Sequence, residues 1–423
     1  MSLLRGCFCT SKSHGDKFLA TSPSGCLRLC LCRRLFLTVS IIFVVKGLRP
    51  SQDLHLRQGD GSVHDSRSPS EKAMKIYIYD VPAALHEDVA EKEPRCTTHM
   101  FASEIEIHKF LLASIVRTLD PQEADWFYTP MYTNCDLSEQ GLPLITGVPQ
   151  LVRSAVTHIS VSWPYWNRSG GADHFFVVPH DFGACFHFQE KAAIWRGIYP
   201  LLRRATLIQT FGQSNHPCMG NNYIIIPPYV PPTMVAVHRL SPATPRSIFA
   251  YFRGTIYDVR NDPKGGYYAR GIRAALWEAF REHPMFDIAT DHPTTYYEDM
   301  QRSLFCLCPR GWAPWSPRIV EAVILGCIPV IIADDIVLPF EDVIPWDKMA
   351  VFVNESNVGD LDAILASMSA FEVKQKQVIL ADPAIKNALL FSKDRIQGDA
   401  FHLILSSLSR QLRHVRLHVP NPR

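Results

Sequence analysis

The chain has no excess charge of either sign. Across 423 residues, 43 Lys and Arg face 41 Asp and Glu, for a net charge of +2. No basic stripe interleaved with aromatics occurs, so nothing in it reads as a nucleic-acid footprint. The phosphate loop G-x-x-x-x-G-K-[ST] is absent, and no G-x-G-x-x-G follows the first strand-like segment, which excludes a P-loop and argues against a nicotinamide or flavin site. No C-x-x-C pair is matched by a second pair, so a zinc site is not expected. The apolar run near the N terminus, Leu35 to Val45, has eleven residues, against the roughly 20 that a bilayer-spanning helix needs.

What is present is ordinary for a globular protein in bulk and less so in detail. Hydrophobic residues make up 47%, aromatics 11%, and there are 31 prolines, a composition shared with proteins that stack sugar rings on aromatic faces. The length calls for two domains or one large α/β unit. Cys306 and Cys308 alternate within LFCLCP and Cys327 precedes a second apolar strand, so these three are expected as buried small apolar residues. Cys96, Cys135, Cys185 and Cys218 are then the disulfide candidates for a secreted chain, with connectivity open.

Arg28, Arg33 and Arg34 precede the run LFLTVSIIFVV and Lys46 ends it. A basic flank before an apolar run of this length fits either an uncleaved signal-anchor or a cleaved signal core. Residues 1–34 then form a basic cytosolic tail, 35–45 the anchor or signal core, and 46–73 a polar flexible stem. Positive charge before the anchor favours a lumenal body, and the sequons at Asn167 and Asn354 agree with one. This is the layout of a single-pass type II Golgi membrane protein.

From Lys75 onward, apolar strands alternate with amphipathic helices, first over 74–226 and again over 247–410, with a short tail at 411–423. The intervening 227–246 carries six prolines between Pro227 and Pro245 and suits an extended linker. Two consecutive halves of this kind predict two Rossmann-like α/β domains with parallel sheets facing across a cleft. Ligands of such sheets bind beyond the carboxyl ends of the strands, which singles out Asp80, Pro130, His180, Asp181, Arg253, Gly254, Arg310, Asp334 and Asp335.

The segment CPRGWAPWSPRIVEAVILGCIPVIIADD (residues 308–335) carries the most chemistry. Ser316 and Pro317 predict a helix start, with Ser316 as the cap. The N–H groups beyond them favour an anion, and Arg318 adds a two-pronged donor there. Arg310 and Arg253 end earlier strands and are expected to converge on the same place. Such a set suits a diphosphate. Glu321, three residues after Arg318 on the same helix face, suits the two hydroxyls of a ribose. The plainer alternative is a surface ion pair between Arg318 and Glu321.

FCLCPRGWAPWSPRIVEAVILGCIPVIIADDIVLPF resembles the donor-site segment of the exostosin family of glycosyltransferases. PRCTTHMFASEIEIHKFL, ADWFYTPMYTNCDL, WPYWNRSGGADHFFVVPHDFGACF, RSIFAYFRG and DHPTTYYEDMQRSLFCLCP are similar to its plant xylan branch, the irregular-xylem type of xylosyltransferase. The resemblance runs from Lys75 to about Leu408. It implies a two-Rossmann glycosyltransferase fold of the GT-B type, a UDP-sugar donor, inversion at the anomeric carbon, a Golgi address and work on cell-wall xylan, in some members as part of a xylan synthase complex. By position Arg318 and Glu321 match the family's donor-contacting pair, and Arg310 matches its Pro-Arg-Gly arginine, where the xylan branch leads to an apolar residue instead.

Inversion needs a base on the acceptor hydroxyl and cationic or dipolar groups on the departing diphosphate. The base is expected from the first half: Asp181 first and His180 second, with Glu104 and His108 weaker, and with Asp181 as a turn cap the plainer alternative. No metal is required. Asp360-Leu-Asp362, the one D-x-D, opens a predicted helix and reads as a cap, and Asp334 and Asp335 as loop-shaping or sugar-contacting. Trp312 and Trp315 are expected to stack on a ring or to pack the loop. The expected reaction is xylosyl transfer from UDP-xylose to β-1,4-xylan, with transfer of another sugar such as glucuronic acid, or a non-catalytic subunit role, as alternatives.

Overall fold

A computed structural model describes residues 74–418 apart from 188, 232–233, 236–244, 258–267 and 395. The expected tail, anchor or signal core, and stem lie outside the described residues, as does most of the linker. Among the described residues no helix is long and apolar enough to cross a membrane.

The first sheet contains β1 (Ile76–Ile78), β2 (Arg117–Thr118), β3 (Trp126–Tyr128), β4 (His174–Val177), β5 (Thr206–Gln209) and β6 (Tyr223–Ile225), in the order β2-β1-β3-β4-β5-β6. All its pairings are parallel. The second contains β7 (Ile248–Arg253), β8 (Phe286–Ala289), β9 (Ser303–Pro309), β10 (Ile328–Ile332) and β11 (Val351–Phe352), ordered β11-β10-β9-β7-β8 and again wholly parallel. Two parallel-sheet α/β domains are therefore present, as the alternation implies. The central strands β3, β4, β5 and β10 are buried at every residue, because helices on both faces leave a parallel sheet no wet side.

The helices follow from spacing. In Val148–Ser162 the buried residues are Val148, Val152, Ala155, Val156 and Ile159, one apolar stripe at helical period. Gly197, with a φ of 68°, separates the helix Glu190–Arg196 from the helix Ile198–Leu202. The short β2 and the edge strand β6 escape a reading by alternation, since two or three residues carry no period.

The last helix, Ala400–His418, is one element where the sequence divides at residue 410. It returns to the first sheet. Phe401 stacks on Phe110 at 4.3 Å, Trp126 Nε1 donates to the Leu408 carbonyl, and Gln411 Nε2 donates to the carbonyl of Tyr223.

Three disulfides occur among the described residues: Cys96–Cys135, Cys185–Cys218 and Cys306–Cys327. The third corrects the expectation that Cys306 and Cys327 are merely buried small residues. The strand β9 and the segment entering β10 lie side by side, so the parallel pairing brings the two sulfurs together. Cys308 alone of the described cysteines is free, and it is buried.

The two sheets meet at their carboxyl edges. The chain leaving β5 pairs with the chain leaving β10: Val337 N donates to Gly212 O at 3.0 Å, and Ser214 N donates to Asp335 O at 2.7 Å. A Cβ on Gly212 would lie 2.1 Å from the Val337 carbonyl oxygen, so only glycine allows this approach. Gly212→Ala is expected to lower stability by about 1–3 kcal/mol, read as a lower denaturant midpoint. An unchanged midpoint would show that the junction tolerates separation.

Candidate active site

The helix Pro317–Ile324 follows β9, and its N terminus lies at the carboxyl edge of the second sheet. Ser316 occupies the N-cap position with extended backbone (φ −152°, ψ 154°), yet its hydroxyl makes no cap hydrogen bond. This corrects the expected role: Ser316 Oγ is buried with no protein partner. Pro317 stands in the first turn as expected.

Arg318 is buried. Its Nη2 donates to the carbonyl of Arg253, and its guanidinium lies over the Phe252 ring, 4.5 Å from the centroid. Among the described residues Nε and Nη1 are buried without a hydrogen-bond partner, and the guanidinium also lies beside the Tyr296 hydroxyl, which acts to raise its pKa. Gly254 makes this placement possible, because with φ at 155° a Cβ there would sit 2.9 Å from Arg318 Nη2. Among the described residues no ion pair joins Arg318 to Glu321, which removes the surface-pair alternative. Glu321 instead accepts the Tyr296 hydroxyl on Oε2 at 3.1 Å. Burial raises the Glu321 pKa, with Arg318 and the hydroxyls of Tyr296 and Tyr297 acting to lower it.

The expected convergence of three arginines is not what the structure forms. Arg253 turns to β8, where Nη2 meets Asp287 Oδ1 at 2.7 Å and Nη1 meets the Asp287 carbonyl at 2.9 Å. Arg310 turns the other way, past β10, and Nη1 meets Glu355 Oε1 at 2.8 Å. The sheet order β11-β10-β9-β7-β8 places these two carboxylates on opposite sides of β9 and β7. The backbone of Arg253, not its side chain, reaches Arg318. Glu355 also accepts the Asp334 amide at 3.0 Å, and its own amide donates to Asp334 Oδ1 at 3.0 Å. Asp334 therefore shapes the loop, together with Asp335, whose φ is 58°. Among the described residues no cluster of metal-ligating side chains forms. Asp360 stands at an N-cap but its side chain does not cap.

Arg273 is a residue that sequence reasoning missed. It is buried on the helix Ile272–Phe280. Its guanidinium donates to the carbonyls of Arg310 at 2.8 Å and Thr255 at 2.9 Å, tying the ends of β7 and β9 together. Burial pushes its pKa down to about 10. The available signal was an arginine on the apolar face that Ile272, Leu276 and Phe280 define.

In the first domain, His180 and Asp181 follow β4. His180 is buried, and its Nδ1 accepts the Phe182 amide at 3.2 Å, which leaves the proton on Nε2. Burial, aided by the charges of Arg196 and His187, pushes its pKa down to about 3. Asp181 is partly buried. Its carboxylate has no hydrogen bond or ion pair among the described residues, so it is not a turn cap, and burial pushes its pKa up to about 6. Glu104 is different: both its oxygens are taken by the amides of Thr133 and Asn134, each at 2.9 Å. His108 is held by the Tyr132 hydroxyl at 2.9 Å.

Trp315 connects the two halves. Its Nε1 donates to the Asp181 carbonyl at 3.2 Å, and its ring meets Phe101 edge to face at 5.9 Å. The loop that starts the Arg318 helix thus packs on the loop that carries Asp181. Trp315 is used for packing. Trp312 lies edge-on to Tyr268 at 5.1 Å.

The Arg310–Glu355 pair is buried on both sides. Glu355→Ala leaves the Arg310 cation without a carboxylate, and a loss of about 3 kcal/mol is expected, measured by denaturant unfolding at neutral pH. A loss under about 1 kcal/mol would mean that water replaces Glu355 at no great expense.

A family model described as the exostosin GT47 domain matches residues 70–368. A protein of Arabidopsis thaliana named "Probable beta-1,4-xylosyltransferase IRX10L" is 55% identical over 391 residues, covering 92% of this chain and 94% of that one. Its compatriot named IRX10 is 61% identical over 341 residues, or 81% of this chain and 83% of that one. A rice protein named as a probable glucuronosyltransferase is 62% identical over 341 residues, or 81% and 82%. Among solved structures, an Arabidopsis thaliana UGT89C1 complexed with UDP covers 76% of this chain and 80% of that chain at 11% identity and a TM-score of 0.31, and no residue role rests on so slight a likeness. On the extent of the domain match and the identity to these relatives, the chain belongs to the exostosin GT47 family.

Proposed function

We propose that this protein is an inverting glycosyltransferase that moves xylose from UDP-xylose to the end of a β-1,4-xylan chain, on a fold of the GT-B type. The observation that carries this reading is the pair of unsatisfied groups in the two loops that Trp315 joins. On one side stand Arg318 Nε and Nη1 and Ser316 Oγ, buried at a helix N terminus without hydrogen-bond partners among the described residues. On the other stands the unpaired carboxylate of Asp181. A cation with free donors at a helix N terminus suits a departing diphosphate. A carboxylate with a pKa near 6 suits a general base at neutral pH.

In this scheme Asp181 takes the proton from the acceptor hydroxyl as that oxygen forms a bond to the anomeric carbon. The bond from that carbon to the diphosphate breaks, and Arg318 and the helix N terminus receive the charge. Glu321, steadied by Tyr296, binds the ribose hydroxyls. His180 is the poorer base, since its Nδ1 lone pair is engaged and its Nε2 carries the proton. No metal is needed, because Arg318 and the helix dipole supply the electrostatics. The names of relatives divide between xylosyl and glucuronosyl transfer. A neutral pentose is favoured here, because Arg253 and Arg310 already hold Asp287 and Glu355 and Arg273 is engaged by backbone carbonyls. We propose a body in the Golgi lumen, on the support of the basic flank before the apolar run 35–45, which suits a signal-anchor with a lumenal body.

The test is to incubate the full chain with a labelled xylo-oligosaccharide and each UDP-sugar in turn, with and without chelator. Extension with UDP-xylose and no loss on chelation are expected; no extension with any donor sinks the enzyme reading, and loss on chelation sinks the metal-free mechanism. Asp181→Asn is expected to reduce kcat by roughly 10²–10⁴-fold while UDP binding persists. The wild-type rate should fall as pH drops through about 6, because the base must be ionised. The same variant should not lose stability at pH 7.5. A folded-state pKa above the unfolded value makes the ionised Asp181 a cost to folding that is relieved as pH falls, and Asn carries no charge. An active Asp181→Asn variant would remove that residue as the base.

A further inference from the structure

Trp195 is 87% exposed, and its neighbour Ile194 is 63% exposed. An indole left in water on a short helix is an unusual use of the largest apolar side chain. It does not stand alone. Thr146, Pro149, Arg153, Trp195 and Arg196 line one surface cavity of about 370 Å³, enough for a sugar ring and its hydration. Arg153 donates to the carbonyl of Arg196, and Arg196 Nη1 donates to the carbonyl of Ile145 at 2.9 Å. Neither arginine forms an ion pair among the described residues, and both line the cavity.

We infer that this cavity is a second acceptor subsite, in which a neutral sugar ring of the xylan chain, some units away from the reacting end, stacks on Trp195 while Arg153 and Arg196 donate to its hydroxyls. The inference rests on the reading of the protein as a xylan-extending enzyme. Its position follows from topology. Trp195 and Arg196 lie on the helix Glu190–Arg196 that the Asp181 loop runs into, and Thr146 and Pro149 come from the segment between β3 and β4. Both connections leave the carboxyl edge of the first sheet, where Asp181 stands. The charge of Arg196 is one of those that depress the pKa of His180, next to Asp181 in the chain. An acceptor polymer whose end meets Asp181 can extend along this rim. The flat C–H face of a sugar ring matches the indole face, and uncharged hydroxyls match N–H donors that carry no carboxylate.

The experiment compares the full chain with Trp195→Ala and Trp195→Phe, using xylobiose and xylohexaose as acceptors and, without donor, native electrophoresis through a gel containing soluble xylan. Trp195→Ala is expected to raise KM for the hexaose about five- to tenfold, leave kcat and the xylobiose KM unchanged, and abolish retardation by xylan. Trp195→Phe should restore most of both. Equal KM changes for the two acceptors, no change for either, or unchanged retardation would overturn the subsite and leave Trp195 to a protein partner. A wild-type chain that extends neither acceptor yet is retarded through Trp195 would keep the subsite and overturn the proposed reaction. A wild-type chain that is neither active nor retarded overturns both.

Discussion

The close approach of Gly212 to the Val337 carbonyl is the constraint on which the geometry of the site depends. Two parallel sheets present their carboxyl edges to each other there, through backbone hydrogen bonds that admit no side chain between them. Fixing that junction brings the loop after β4 opposite the loop after β9. Trp315 then reaches across to the Asp181 carbonyl, and a small apolar cluster including Phe101, Phe182, Phe211, Ala313 and Val337 closes around it. The loop that carries Asp181 on one sheet and the loop that leads to Arg318 on the other become neighbours only as a result.

Four arginines at the second sheet's edge show how a fold separates structural from available charge. Arg253 and Arg310 end adjacent strands, and each is answered by a carboxylate further along the sheet. Arg273 has no carboxylate, but carbonyls take up its donors. Arg318 is given one carbonyl, an aromatic face and the neighbouring Tyr296 hydroxyl, and among the described residues its Nε and Nη1 have no hydrogen-bond partner. Burying a cation with unused donors is costly unless an anion completes it. The same contrast appears among the acids: Glu104 is saturated by a loop it organises, while Asp181 is desolvated and unmatched.

Much of this was legible in the chain. The alternation of apolar strands with amphipathic helices yields two parallel α/β domains, since each strand buried on both faces reads as a continuous apolar run. Ser316-Pro317 marks the start of the helix that carries Arg318, and the post-strand position of Asp181 follows from the rule that ligands of such sheets bind at the carboxyl ends. Tyr296 and Arg273 were not legible, because their partners, Glu321 and the strand ends, are distant in sequence. Cys306 and Cys327 looked like core residues, for alternation within a strand does not reveal which sulfur faces which. Ser316 looked like a cap, and its hydroxyl points elsewhere.

By itself the sequence determined the elements and the residue types at their ends, because helix starts, strand burial and charge placement are local consequences of spacing. Only the tertiary structure decided which charges were already answered. Arg253 and Arg310 carry the same side chain as Arg318, the first two at strand ends and the third in the first turn of the helix that follows. What separates them is the order β11-β10-β9-β7-β8, which sets Asp287 and Glu355 beside the first two and no carboxylate in ion-pair contact with the third. Strand order is a product of long-range packing, and no local pattern encodes it.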